Sequence, residues 1–392
     1  MQSTVIGTDQ EFNELCEHIR ECGLVGFDTE FVSDSTYRPV LGLLQFATRE
    51  RAVAVDPLSI RDLKPWWQLM ADDETTVIVH GGQAEIRFCL QLLGEVPRRL
   101  FDIQLAEGFR GRSYPLSYSA IVKRVVNRKV DGSQTRTDWT RRPLSDAQLT
   151  YALEDVEHLI EIFETQSAWL EQQGRLTWAS DEIDRLVADI SNDDSTPPWE
   201  RLPGLHKLNR RELAVLQQLA EWREHEASVL NRPVRRVLRD DLLLDLAKRQ
   251  PGTSQQALAT RDLNRREYRK HMDAIVDTIA QAKKLSDDDL PSKPRSRRED
   301  ASSDEQVVSR LLALALSNRC AELDVAYTLV ASNRDLIELV RYHRLGERNS
   351  TLPRMMEGWR GELFGDLLRD VLDGKVAFRV APAGGPAPLV FE

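Results

Sequence analysis

The chain is short of cysteine, of long apolar runs and, taken as a whole, of positive charge. Its four cysteines, Cys16, Cys22, Cys89 and Cys320, form no CxxC pair, which speaks against the common zinc spacings and against a disulfide framework. Idle thiols in a reducing compartment are the expectation. The longest apolar runs resemble LLALAL at 311–316, far short of the ~20 residues of a membrane span. The opening MQSTVIGTDQEFNEL has neither the basic start nor the apolar stretch of a signal peptide, so export is not expected and a cytoplasmic location is. A formal net charge of −10 by itself discourages a nucleic-acid partner.

The distribution of that charge says more than its total. Between Leu205 and Leu285 there are 17 Lys and Arg against 11 Asp and Glu, leaving this stretch at +6 and the remainder at −16. A basic module inside an acidic chain leaves room for a polyanion. With 41% hydrophobic and 30% charged residues, the composition is that of a soluble globular protein. At 392 residues it suggests two or three domains.

Up to about residue 180, short β-rich runs (LVGFDTEF, LGLLQFAT, AVAVD, TVIVH) alternate with helical patterns (DQEFNELCEHIREC, AEIRFCLQLLG, and one long pattern from SDAQLTYALEDVEHL to SAWLEQQG). This predicts an α/β layer fold with a mixed sheet flanked by helices. From Leu205 to Leu285, and again from Asp304 to Lys375, only helical signals remain, separated by SDDDLPSKPRSRREDASSDE, which reads as a linker. A shorter hinge, SNDDSTPPWERLPG, precedes the first helical block, and the tail APAGGPAPLVFE reads as loose. The domains expected are 1–195, 205–285 and 304–378.

Chemistry concentrates in three places. GFDTEFV places Asp28 and Glu30 two apart in a strand, on one face. Two such carboxylates repel unless a cation intervenes, and a divalent metal is the simplest one. Its apolar flanks make the strand central; an edge strand would leave both acids in water. Next, VIVHGGQAEIRF ends a strand at His80, turns on two glycines and opens a helix with Glu85, either a helix-dipole partner or a group at the strand ends where open sheets bind ligands. Finally, YALEDVEHLIEIF puts Tyr151 and Asp155 one helical turn apart, beside an apolar stripe of Leu149, Leu153, Val156, Leu159, Ile160 and Phe163.

D-x-E on a strand, an acid opening a middle helix and Y-x-x-x-D on a late helix together resemble the Tyr-bearing branch of the DEDD exonuclease superfamily, and within it the bacterial ribonuclease D family. HKLNRRELAVLQQLAEWREHEASVL and the residues after it resemble an HRDC domain, and the last helical block a second, divergent one. The resemblance covers the whole chain. It implies a ribonuclease H-like 3′–5′ exonuclease domain followed by two all-α HRDC-type domains. It also implies two divalent ions, Mg²⁺ or Mn²⁺, held by Asp28, Glu30, Glu85 and Asp155, with Tyr151 orienting the attacking water. Nucleoside 5′-monophosphates would leave one at a time from RNA 3′ ends, with tRNA precursors as the expected substrates and a monomer as the expected state. The family has Asp where this chain has Glu85, one methylene longer. Asp102 matches a family position read as supporting the site, with metal ligation as the lesser role. His80 and His158 are not expected to act as bases, because Tyr151 occupies that slot.

RNA contacts are expected from Lys123, Arg124, Arg128, Lys129, Arg136 and Trp139, the last through base stacking, unless these form only a solvated surface over a packed Trp. Arg232, Arg235, Arg236 and Arg239, at helix-like spacing, are expected to grip phosphates. Two alternatives stand beside the exoribonuclease: a 3′–5′ DNA exonuclease, and a non-catalytic RNA-binding scaffold decayed at Glu85.

Overall fold

The computed structural model describes residues 5–130, 137–260, 262–292, 301–344, 352–382 and 387–392. Its main sheet contains β1 (Val5–Ile6), β2 (Leu24–Val32), β3 (Val40–Ala47), β4 (Ala52–Val55), β5 (Thr76–Val79) and β6 (Leu100–Asp102). The spatial order is β1-β4-β3-β2-β5-β6. β1 runs parallel to β4, and β5 parallel to both β2 and β6, while β3 and β4 are antiparallel. The sheet is therefore mixed, and β2 is central. The four predicted strands are β2 to β5; β1 and β6, only two and three residues long, carry too little pattern to be read from sequence.

The helices that matter for the site are α1 (Asp9–Cys22), α2 (Lys64–Met70), α3 (Gln83–Leu93), α4 (Ile103–Gly108), α5 (Tyr118–Val125), α6 (Asp146–Glu157) and α7 (Leu159–Gln172). β2 is covered on both faces, as its alternation requires. Phe27 stacks into Trp66 and Trp67 of α2, with ring centroids 4.5 and 6.0 Å away. On the opposite face, a Cβ at Gly26 would stand 3.0 Å from the Leu159 Cβ, so glycine lets the junction of α6 and α7 close onto the strand. The acids two and four residues further along point to this same side.

The single long helix expected from Asp146 onward is two. His158, with φ −102° and ψ 0°, ends α6 and starts α7, and its backbone N–H donates to the Tyr118 hydroxyl (3.3 Å). Periodicity continues across the break, which is why the sequence does not show it. The tail also departs from expectation: Phe378–Val380 pairs antiparallel with Leu389–Phe391, and the two phenylalanine rings meet edge to face at 5.4 Å.

Compactness divides the chain into two units. Residues 1–30, 42–191 and 301–392 form one, and residues 31–41 and 192–300 the other. In the first, the last helical block shares an apolar core with the sheet's helices: Leu312, Leu316, Trp359 and Phe364 bury with Ile103, Phe109, Ile121 and Leu159. In the second, the helices Arg210–Val229, Asp240–Arg249 and Met272–Lys283 enclose Leu213, Leu216, Leu243, Leu246 and Ile275. Trp199, from the predicted hinge, is buried in that core. The segment 31–41 belongs here because Tyr37 donates its backbone N–H to Asn231 (3.2 Å) and its hydroxyl to Glu224 (3.1 Å).

Candidate active site

Asp28 and Glu30 leave β2 on the side facing α6, and Asp155 on α6 meets them. One carboxylate oxygen from each of the three lies within 4.8 Å of the others. They line a cavity of about 370 Å³ together with Tyr151, His80, Ser117, Tyr118, Ser119, Val130 and Leu159. Among the described residues, no lysine or arginine lines it.

Burial dominates the electrostatics. Asp28 is held well above the usual carboxylate range by burial and then by the charges of Glu85, Asp155 and Glu30. Burial, then Asp155 and Glu85, push Glu30 up to about 8. Asp155 is raised to about 6, chiefly by burial, although a hydrogen bond from the Tyr151 hydroxyl pulls the other way. Tyr151 is itself pushed upward, by burial and by the neighbouring charges of Asp155 and Glu30, so its phenol stays protonated and serves as a donor. Such a set of hard oxygen donors fits a divalent cation such as Mg²⁺ or Mn²⁺.

Glu85 is placed differently. Sitting on α3, 4% exposed, it is not one of the three clustered acids. Its carboxylate accepts a 2.5 Å bond from the Thr29 hydroxyl, and burial raises it to about 7 against that bond's opposing pull. The acids therefore approach the end of β2 from both faces, Asp155 from the α6 side and Glu85 from the α3 side.

Asp102 accepts three backbone N–H bonds: from Gly81 (3.0 Å), Gly82 (3.1 Å) and Gln104 (2.8 Å). It thus ties the turn after β5 to the start of α4. Gly81 takes φ +66° in that turn, a conformation costly for any residue with a Cβ. His80 is anchored as well, its Nε2 lying 2.9 Å from the Leu116 carbonyl. His158 is buried at the α6–α7 junction.

Of the expected RNA-contacting residues, Lys123, Arg124, Arg128 and Lys129 are exposed; Arg124 lies 3.1 Å from Glu107 and Lys123 donates to Asn127. Arg136 lies outside the described residues. Trp139 cannot stack on a base: it is 2% exposed and packs 6.2 Å from the Tyr151 ring, forming a wall behind the phenol. Arg142, three residues on, holds this corner by a fork onto Asp56 (2.6 and 2.8 Å) and bonds to the carbonyls of Gly42 and Trp139.

In the other unit, the helix-like spacing of Arg232, Arg235, Arg236 and Arg239 does not correspond to one helix. Only Val234–Val237 is helical, between a positive-φ Asn231 and an extended Leu238. Arg235, Arg236 and Arg239 still line one cavity of about 770 Å³ with Arg265 and Tyr268, but acids share it. Arg239 forks onto Asp241 and reaches Asp262; Arg235 pairs with Asp240. Arg232 and Arg236 are exposed.

Thr29, bonded to Glu85, and Ser117, Tyr118 and Ser119, which line the cavity, are neighbours of the acids that sequence reasoning missed. Thr29 reads as the spacer in D-x-E, and the only signal for the others is the helix-capping serine at 117, which carries no link to acids far away in the chain.

Comparison with known proteins gives this mixed sheet and its acid cluster a class, that of the 3′–5′ exonucleases. Residues 4–167 match the 3′–5′ exonuclease family, 212–279 the HRDC domain and 308–368 the C-terminal HRDC domain of ribonuclease D. Ribonuclease D of Escherichia coli is 31% identical over 374 residues, 95% of this chain and 99% of that protein. Ribonuclease D of Granulibacter bethesdensis is 33% identical over 96% of this chain and 94% of its own length. The crystal structure of Escherichia coli RNase D, described as an exoribonuclease involved in structured RNA processing, superposes with a TM-score of 0.83 at 29% identity, covering 95% of this chain and 99% of that one. The chain belongs to the ribonuclease D family, hydrolases of the 3′–5′ exoribonuclease class. Among the described residues, no helix is long and apolar enough to cross a membrane.

Proposed function

We propose that the protein is a divalent-metal-dependent exoribonuclease that trims structured RNA, tRNA precursors among them, from the 3′ end as a cytoplasmic monomer. The observation that carries this reading is the meeting of Asp28, Glu30 and Asp155 within 4.8 Å in a cavity that Tyr151 also lines. The proposed domains are a catalytic domain at 1–195 and helical domains at 205–285 and 304–378, supported by the family matches at 4–167, 212–279 and 308–368.

Asp28, Glu30 and Asp155, with Glu85 at the margin, are the residues proposed to hold two ions. When bound, such ions lower the pKa of a water and stabilise charge on the phosphate and the departing 3′ oxygen. The chain's own groups do the rest. Asp155 accepts from the Tyr151 hydroxyl, fixing a phenol that stays protonated and presents its oxygen to the attacking water. Water then forms a bond to the terminal phosphorus as the bond to the 3′ oxygen breaks, and the chain leaves with a free 3′ hydroxyl. The released nucleotide keeps its 5′ phosphate. Exposed Lys123, Arg124, Arg128 and Lys129, together with Arg136, are assigned to the RNA backbone, as are Arg232, Arg235, Arg236 and Arg239 in the helical unit.

The test uses 5′-labelled single-stranded RNA and its DNA twin, incubated with Mg²⁺, Mn²⁺ or EDTA. A metal-dependent ladder shortening from the RNA 3′ end, with nucleoside 5′-monophosphates as product, is expected, and Asp28→Asn should abolish it while retaining RNA binding in EDTA. Cleavage that survives Asp28→Asn would overturn the site assignment.

A further inference from the structure

Thr29 stands between the two clustered acids of β2 and points to the other face of the strand. It is 6% exposed, and its hydroxyl donates to the Glu85 Oε1 at 2.5 Å, the short range of a hydroxyl bound to a charged acceptor. α3 begins at Gly82 with no side-chain cap, and the Gly82 N–H, the donor a glutamate at this position would reach in a capping box, is taken by Asp102, so Glu85 turns to β2. We propose that Thr29 is a positioning residue for Glu85, and that the two act as a pair which sets the affinity of the site for its divalent ions.

Length is the argument for a pair. Glu exceeds Asp by one methylene, a bond of about 1.5 Å, and a buried carboxylate drawn back by that distance would leave a 2.5 Å hydrogen bond unmade. The longer acid and the threonine therefore belong together. Glu85 is also the strongest of the charges acting on buried Asp28, so its orientation is felt within the cluster although it stands outside it. This inference rests on the metal-site reading above.

The experiment is a double-mutant cycle of Thr29→Val and Glu85→Asp in the full chain, with Mn²⁺ affinity read from the free-ion EPR signal without RNA and Tm read in EDTA. Thr29→Val should weaken Mn²⁺ binding about 10-fold, the worth of one hydrogen bond to a charged group. Thr29→Ser, which keeps the hydroxyl, should stay within about 2-fold of the unsubstituted protein. Glu85→Asp should weaken binding when Thr29 is present and make little further difference when combined with Thr29→Val, a non-additivity that marks direct coupling. Additive effects, unchanged Mn²⁺ affinity in a folded Thr29→Val protein, or Thr29→Ser as damaging as Thr29→Val would each overturn the pairing. If the unsubstituted protein binds no Mn²⁺, the metal-site reading itself fails; the Tm cycle in EDTA then still tests the hydrogen bond alone.

Discussion

Tyr151 shows how one side chain receives its role from its surroundings. Its ring is backed by Trp139, and its hydroxyl bonds Asp155 while neighbouring acids make its own ionisation unfavourable. A phenol in that state can orient a water but not deprotonate it. Tyr151→Phe should therefore lower kcat by about 10²-fold, the scale of losing one catalytic hydrogen bond, with KM and RNA binding little changed. A mainly raised KM would instead place the phenol in substrate binding. Asp28, Glu30, Tyr151 and Asp155 were legible in the sequence because strand and helix periods bring residues at spacings of two and four to one side. For Trp139 the sequence left base stacking and packing both open, and packing holds: a glycine at position 42 and the fork of Arg142 onto Asp56 close the structure over it. Thr29 was invisible, since only the third dimension shows that α3 ends its approach at that hydroxyl.

Among elements, the least legible join is between the helix Leu176–Ser195 and the last helical block. Glu182, almost fully buried, accepts from Arg360 (2.6 Å), Arg354 (2.8 Å) and Arg185 (2.7 Å). Arg360, equally buried, also donates to the carbonyls of Leu329 and Val330. The partners lie up to 178 residues apart, and no local pattern connects them. The two helical blocks, in contrast, were readable because their strand signals vanish over long windows; the break at His158 was not, because it preserves the apolar period. Burial alone would raise the Glu182 carboxyl, but the bonds from Arg360 and Arg185 outweigh it and hold the group at about 2. Replacing Glu182 with Gln leaves Arg360 charged and underpaired in the core, so denaturant unfolding should show a loss of about 3 kcal/mol, the lower end for breaking a buried pair. Because its folded pKa is depressed, the ionised group's stabilisation is fully present above the ordinary carboxylate range and is lost as pH falls towards 2. The gap in stability between the two proteins should accordingly narrow in acid, and a gap independent of pH would mean that packing, not charge, holds the join.

At the scale of the whole molecule, an acidic chain gathers buried carboxylates at one point and carries its positive excess in the helical unit. Acids visible in the sequence implied a cation; that they stand buried, with no arginine or lysine among the described residues lining their cavity, was not readable, and it turns the site into a cost for the metal-free fold. Glu30, Glu85 and Asp155 are raised to about 8, 7 and 6, while in the unfolded chain such groups titrate near 4. The folded state then binds more protons than the unfolded one between those values. The cluster's contribution to stability therefore falls as pH rises from about 4 to about 8. Divalent ions act in the opposite sense, since they bind the ionised carboxylates and only the folded state assembles them. Thermal unfolding in EDTA should therefore show the unsubstituted protein losing Tm relative to Asp28→Asn as pH rises from 5 to 8, because the amide removes one of the repelling charges. Adding Mn²⁺ should raise the Tm of the unsubstituted protein by several degrees, more at pH 8 than at pH 5, and should leave Asp28→Asn nearly unmoved. Equal pH profiles for the two proteins in EDTA would remove the electrostatic cost, and an equal Mn²⁺ shift in both would move the ion away from Asp28.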